Sequence, residues 1–222
     1  MSSVGRVLIA CEFSGIVRDE FAKLGWDAWS CDILPTERPG QHYECDVCDV
    51  IGQNWDLLIA FPPCTYLCVS GMHWTLLGRR DPQLTEDALD FVRMLMNEDI
   101  EHIAIENPIG IISTRIRQPD CIIQPWQFGH KESKATCLWL KNLPILKPTN
   151  DVELEMMDLP KEEIQRVFYS WRLPSKIRWK ERSRTYKGVA EAMAQQWTDY
   201  IKLKKTKLIP TLNLTNRKLK FK

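Results

Sequence analysis

The stretch that decides the fold is Arg6-Val7-Leu8-Ile9-Ala10-Cys11-Glu12-Phe13-Ser14-Gly15. Its first six residues are apolar beyond Arg6, short and without helical period, which predicts a parallel strand buried on both faces. The turn at Ser14-Gly15 follows, and Val17, Phe21 and Leu24 then recur at helical spacing until Gly25 stops the pattern. Trp26 to Cys31 reads as a second strand, ending at Asp32. Strand, glycine turn, helix, strand and acid in that order predict an α/β unit.

The rhythm continues downstream. Trp55 to Ala60 predicts a strand that runs into Phe61-Pro62-Pro63-Cys64, where two prolines exclude a central ladder and mark a loop. Thr85 is placed as a helix cap, with Glu86 and Asp87 in the first turn and Ala88, Phe91, Val92, Leu95 and Met96 as the buried stripe. His102 to Ile105 predicts a strand delivering Glu106-Asn107-Pro108 to the same edge as Cys64. Further strands are expected at Cys121–Ile123 and Ala135–Leu140, and Val189, Met193, Trp197 and Ile201 space a closing helix. Alternating strands and helices imply a mostly parallel sheet with helices on both faces, whose ligands collect beyond the carboxyl ends of the strands. Asp32, Cys64 and Glu106 all fall at that edge.

With 222 residues, 44% of them hydrophobic, the chain has the material for one well-buried core. One catalytic domain is expected over 1–201, with a short acidic insertion within 150–180 and a basic tail at 202–222. The tail holds eight lysines and arginines and no acid, so taking +8 from the total of +1 leaves −7 for the body. Such a tail either adds sequence-independent attraction to phosphates or is a solvated end. No run approaches the roughly 20 apolar residues of a membrane helix, and the start lacks signal-peptide architecture, which predicts a cytoplasmic protein without membrane contact. Eight scattered cysteines are expected to be reduced thiols. Cys45 and Cys48, with Cys64 and Cys68, have spacings that would suit a zinc site, but the simpler reading is small residues around a strand, and no metal is expected.

Methylating carbon 5 of a cytosine ring needs a thiolate that adds to carbon 6, an acid at ring nitrogen 3, and a pocket for a methyl donor. The chain resembles the cytosine-5 DNA methyltransferases, and is similar to the short methylase-like proteins that many phages encode. The resemblance covers most of the chain and implies a Rossmann-like fold dependent on S-adenosylmethionine. Glu12-Phe13-Ser14-Gly15 resembles the first donor-binding motif, which implies that Phe13, Ser14 and Gly15 lie against the methionine part of the donor. The same resemblance gives Asp32 the ribose hydroxyls and Asp46 the adenine. Phe61-Pro62-Pro63-Cys64 resembles the catalytic Pro-Cys motif, with Cys64 as nucleophile, and Glu106-Asn107-Pro108 is similar to the Glu-Asn-Val motif, with Glu106 as acid. Phe128 to Thr136 occupies the place of the Gln-x-Arg-x-Arg motif and gives Lys134 the role of its cation. Gly188-Val189-Ala190 resembles the start of the last motif, putting Gly188 at the donor pocket.

Several positions depart from the family pattern. Thr65 stands where a glutamine follows the cysteine, and Lys134 and Thr136 replace two arginines, so base contacts are altered. Between the Lys134 region and Gly188 about thirty residues stand where the family carries a long recognition domain, and base readout needs several side chains on a rigid element. A separate specificity subunit is therefore one expected partner, beside cytosine-containing DNA. Thr65, Asn107, Arg79 and Arg80 are the expected substrate contacts, the two arginines holding phosphates while Trp74 either stacks or fills core. Alternatives are the same chemistry on a nucleotide, single-stranded DNA or RNA, and a non-catalytic binding subunit. If the protein is viral, the location implied is the host cytoplasm.

Overall fold

The computed structural model describes residues 3–160 and 175–212, with side chains at 3–160 and 178–206. The strands are β1 (Arg6–Ala10), β2 (Asp27–Asp32), β3 (His42–Glu44), β4 (Leu57–Ala60), β5 (His102–Pro108), β6 (Cys121–Ile123) and β7 (Thr136–Lys141). The helices are α1 (Ile16–Lys23), α2 (Val69–Leu76), α3 (Gln83–Asn97), α4 (Ile112–Arg115), α5 (Glu153–Met157), α6 (Ser175–Ser183) and α7 (Lys187–Leu212). The seven strands form one sheet in the order β3-β2-β1-β4-β5-β7-β6. The first five run parallel, and β7 is inserted antiparallel between β5 and β6.

Period-two alternation divides the sheet between two cores. Val7, Ile9, Leu57, Ile59 and Ala104 face α1 and α7, where they meet Val17, Phe21, Met193 and Trp197. Leu8, Ala10, Leu58, Ala60, Ile103 and Ile105 face the opposite way, onto Leu89, Val92 and Leu95 of α3. Because both faces are covered, the strands read as continuous apolar runs, as expected of a doubly wound sheet. The Rossmann-like α/β architecture is therefore observed. A polar clasp fixes the α7 side, since Trp26 Nε1 donates to Thr198 Oγ1 at 2.8 Å inside the core.

Thr85 is not a cap. Helix α3 starts at Gln83, after Pro82, and Asp81 Oδ1 accepts from the Gln83 amide at 2.9 Å. Thr85 instead sits on the buried face, its hydroxyl 3.9 Å from Met72 Sδ. Proline's preset φ makes it a helix starter, and that preference prevails over the threonine two turns of argument later in the chain. Leu89 joins the buried stripe, while Ala88, Phe91 and Met96 are half-buried at its margin. From Asn150 to Pro160 the chain is mostly exposed, with α5 and a buried Val152 within it. The rest of the expected insertion, up to 174, lies outside the described residues. Helix α7 continues through Ile201 to Leu212, so the first part of the basic segment is helical. Among the described residues no helix is long and apolar enough to cross a membrane.

Candidate active site

The strand order reverses between β1 and β4, where the chain leaves β1 toward β2 and returns to β4 on the other side. Such switch points open a crevice beyond the carboxyl ends of the strands. A cavity of about 1390 Å³ lies there, lined by Phe13, Asp32, Asp46, Pro62, Cys64, Thr65, Arg80, Glu106, Asn107 and Lys134 among others. One small-molecule ligand fills a pocket of roughly 300–1,000 Å³, so this cavity has room for two ligands side by side.

The loop carrying Cys64 is built by its prolines. The Phe61 amide still donates to the Ala10 carbonyl at 3.0 Å, but Pro62 and Pro63 have no N–H and the ladder ends. The chain then tightens into a 3-10 turn, Cys64–Tyr66, and the Cys64 carbonyl accepts from the amides of Leu67 and Cys68, both at 3.0 Å. Two ties hold this loop to the end of β5. Asn107 Nδ2 donates to the Pro62 carbonyl at 2.8 Å, and the Ile111 amide donates to the Leu67 carbonyl at 2.9 Å. At the second tie only glycine fits at Gly110, because a Cβ there would stand 2.0 Å from the Leu67 carbonyl oxygen.

Burial raises the Glu106 carboxyl above its ordinary pKa, against the opposing pull of Lys134 and the Thr136 hydroxyl. A carboxyl so placed keeps its proton to higher pH. Lys134 Nζ donates to the Arg182 carbonyl at 2.7 Å and stands 5.8 Å from the Tyr186 ring centre. The lysine is thus held by the C-terminal end of α6 rather than left on a loop.

Loop amides were expected to lower the Cys64 thiol. The structure reverses that: its nearest influence is the thiol of Cys68, followed by burial, and both raise it, with Glu106 adding to the rise. Cys68 is lowered, chiefly by its hydrogen bond with Cys64 and then by Ser70 and the Gly71 amide. Only one negative charge is readily accommodated between the two.

At the other end of the cavity Asp32 closes β2, its Oδ1 accepting from the Leu34 amide at 3.0 Å, and burial raises its carboxyl. Asp46 caps the 3-10 turn Val47–Asp49 by accepting from the Cys48 amide at 2.9 Å, which lowers it. Phe13 is 5% exposed, with Lys180 Nζ 5.4 Å over its ring and Trp179 at 6.4 Å between ring centres. Helix α6 is anchored beside them, as Glu37 accepts from Arg184 at 2.7 and 2.8 Å and pairs with Lys180 at 2.9 Å.

Four of the expected site residues do not line the cavity. Ser14 is buried and donates to Glu12 Oε1 at 2.6 Å, while Gly15 starts α1 with φ 70, a conformation open to glycine. Both shape the turn under Phe13. Gly188 is a packing residue, where a Cβ would lie 2.0 Å from the Phe128 carbonyl oxygen, and its amide donates to His130 Nε2 at 2.9 Å. Arg79 lies 5.0 Å over the Trp74 ring, whereas Arg80 donates to the Thr65 carbonyl at 2.8 Å and stays in the wall. Asn107, expected to touch substrate, spends its amide nitrogen on Pro62. Trp74 is 39% exposed at the cavity wall and is not core.

Residues that the motifs did not single out complete the wall. Arg178, Trp179 and Arg182 reach it from α6, and Tyr186 from the turn beyond. Arg178 and Arg182 are four apart and so share a helix face, a spacing legible in Ser-Lys-Ile-Arg-Trp-Lys-Glu-Arg. Cys68 had drawn notice only as a possible zinc ligand. Among the described residues no three histidine, cysteine or acidic side chains are grouped to hold a metal.

No protein family and no curated protein matches the chain. Among solved structures, it is similar to a protein encoded within an E. coli prophage and designated a DNA modification methyltransferase, at 16% identity and a TM-score of 0.42. The match covers 70% of this chain and 55% of that one. The functional reading rests on the site itself.

Proposed function

We propose that the chain transfers a methyl group from S-adenosylmethionine to carbon 5 of cytosine in DNA, with Cys64 as nucleophile and Glu106 as acid. The observation that carries this reading is that Cys64 and Glu106, at the ends of neighbouring strands β4 and β5, are tied together through Asn107 and Pro62 and line one cavity. A thiolate at Cys64 adds to carbon 6 of the ring, and the proton held by Glu106 passes to nitrogen 3, leaving carbon 5 electron-rich. Loss of the carbon-5 proton then expels the thiolate and restores the ring. Lys134 is within electrostatic reach of both Cys64 and Glu106 and favours the anion at each.

The donor fits the other end of the cavity. Asp32 and Asp46 stand there among Phe13, Ile33 and Val47, two acids in an otherwise apolar wall, which suits a nucleoside with its hydroxyls on the carboxylates. When bound, the donor supplies an electrophilic methyl group. Phe13, Asp32 and Asp46 would hold it, and Pro62 would border it.

The small space for a recognition domain and the charge of −7 outside the tail favour a second substrate range: single-stranded DNA, RNA or a cytosine nucleotide, or a duplex presented by a separate specificity subunit. Labelled methyl transfer to duplex DNA, single strands, RNA and nucleotide, each with wild type, Cys64→Ser and Glu106→Gln, separates these. Transfer to nucleotide but not duplex would move the substrate, and activity surviving Cys64→Ser would overturn the mechanism.

A further inference from the structure

Cys64 shares the cavity wall with a second thiol. Cys68 follows one turn later, its amide donating to the Cys64 carbonyl at 3.0 Å, and the two side chains are hydrogen-bonded. Cys68 is also the N-cap residue of α2, an eight-residue helix, with Sγ 3.3 Å from Ser70 Oγ. The positive end of a helix, a hydroxyl and the nearby Arg182 all favour a sulfur anion at Cys68. Cys64, by contrast, faces the Glu106 carboxyl.

We propose that Cys68 is the resting thiolate of the pair and accepts the Cys64 proton during attack on the ring. The proposal rests on the reading of Cys64 as nucleophile. As the Cys64 sulfur bonds to carbon 6, its S–H bond breaks and the proton passes to the Cys68 sulfur. The charge that rested on Cys68 enters the ring and is neutralised by the proton from Glu106. On elimination the ring releases Cys64 as a thiolate, and Cys68 returns the proton, so the pair is restored. Dividing the tasks has a chemical reason. A sulfur anion stabilised by a helix end is a weaker nucleophile than one of higher pKa, so the stabilised thiol serves as base and the other as attacker. The remaining charged groups facing the pair are Lys134 from the approach to β7, Arg182 from α6 and Arg80, whose Nη1 donates to the Thr65 carbonyl.

The test is pH-dependent alkylation of the full chain with iodoacetamide, each cysteine followed by peptide mass spectrometry, alongside the pH profile of single-turnover methyl transfer. Between pH 5 and 7, as chosen conditions, Cys68 should react at least ~10-fold faster than Cys64, since reactivity there follows the thiolate fraction. Cys68→Ala should move the low-pH limb of methyl transfer upward by about one unit or more, and Cys68→Asp, which restores an anion, should bring it back. Cys68→Ser serves as a control of nearly unchanged shape. Faster reaction of Cys64 at low pH, or a Cys68→Ala profile identical to wild type, would overturn the proposal. Activity in Cys64→Ser would instead refute the nucleophile while leaving the alkylation order readable, so the two failures are distinct.

Discussion

Asn107 donates from its side-chain nitrogen to the Pro62 carbonyl oxygen at 2.8 Å, joining the strand that carries Glu106 to the loop that carries Cys64. The side chain is 1% exposed, and its Oδ1 has no partner, so the amide's defined role is this one bond. Asn107→Ala should cost about 1–3 kcal/mol of stability by stranding a buried carbonyl. It should lower kcat by roughly 100-fold through misplacement of the thiol. The KM for the methyl donor should hardly change. Thermal unfolding and steady-state kinetics check this, and a loss confined to KM would contradict it.

Glu12 is 4% exposed beneath the first turn, and burial raises its carboxyl to about 7 despite hydrogen bonds from Ser14 and Val17. The folded chain therefore holds this proton more tightly than the unfolded chain. Its contribution to stability is complete below the unfolded pKa near 4.5 and is lost as pH rises through about 7. Urea unfolding from pH 5 to 8 should show wild type losing up to ~1.4 kcal/mol per pH unit from this group, a slope absent in Glu12→Gln. Parallel curves for the two proteins would refute it.

Gly188 leaves no room for a side chain, since the obstacle 2.0 Å away is the backbone oxygen of Phe128 and not a flexible tip. Gly188→Ala should destabilise the start of α7 by about 1–3 kcal/mol, as overpacking does. Differential scanning calorimetry measures the loss. Gly52→Ala, at a site with nothing within 4 Å, is the matched control.

Glu37 anchors α6 through Arg184 and Lys180, and those partners hold its carboxyl down to about 2. Glu37→Gln should speed hydrogen exchange across Ser175–Ser183 and weaken donor binding, because Lys180 and Trp179 then lose their seat against Phe13. High salt should mimic the substitution in part. Unchanged exchange across α6 would show that the anchor carries no weight.

The unit from β1 to β2, the strand ending at Cys64 and the strand ending at Glu106 were legible because each is a local pattern: an apolar run, a breaker, an acid or thiol at the end. The antiparallel insertion of β7 was not, since pairing between Ile105 and Trp139 leaves no mark in either segment alone. Three-residue β3 is too short for any periodicity. Asn107 and Gly188 look like binding residues in a motif, yet each answers to a backbone carbonyl contributed from far along the chain, Pro62 and Phe128. Cys68 was visible as a residue but not as a neighbour of Cys64, because the turn that brings the thiols together is set by the ladder ending at the prolines.

Helix α7 also decides where the basic segment can act. Lys205 Nζ donates to the Val4 carbonyl at 3.0 Å and lies 3.7 Å from Asp56. Val4 and Asp56 precede β1 and β4, so this lysine sits at the amino ends of the strands, whereas Cys64 and Glu106 sit beyond the carboxyl ends. A strand of five residues spans about 16 Å, and that thickness separates the start of the basic segment from the chemistry. A nucleic acid that touches both must travel around the rim of the sheet, which makes this part of the segment a mooring for a distant stretch of polymer and no part of the grip on the reacting base.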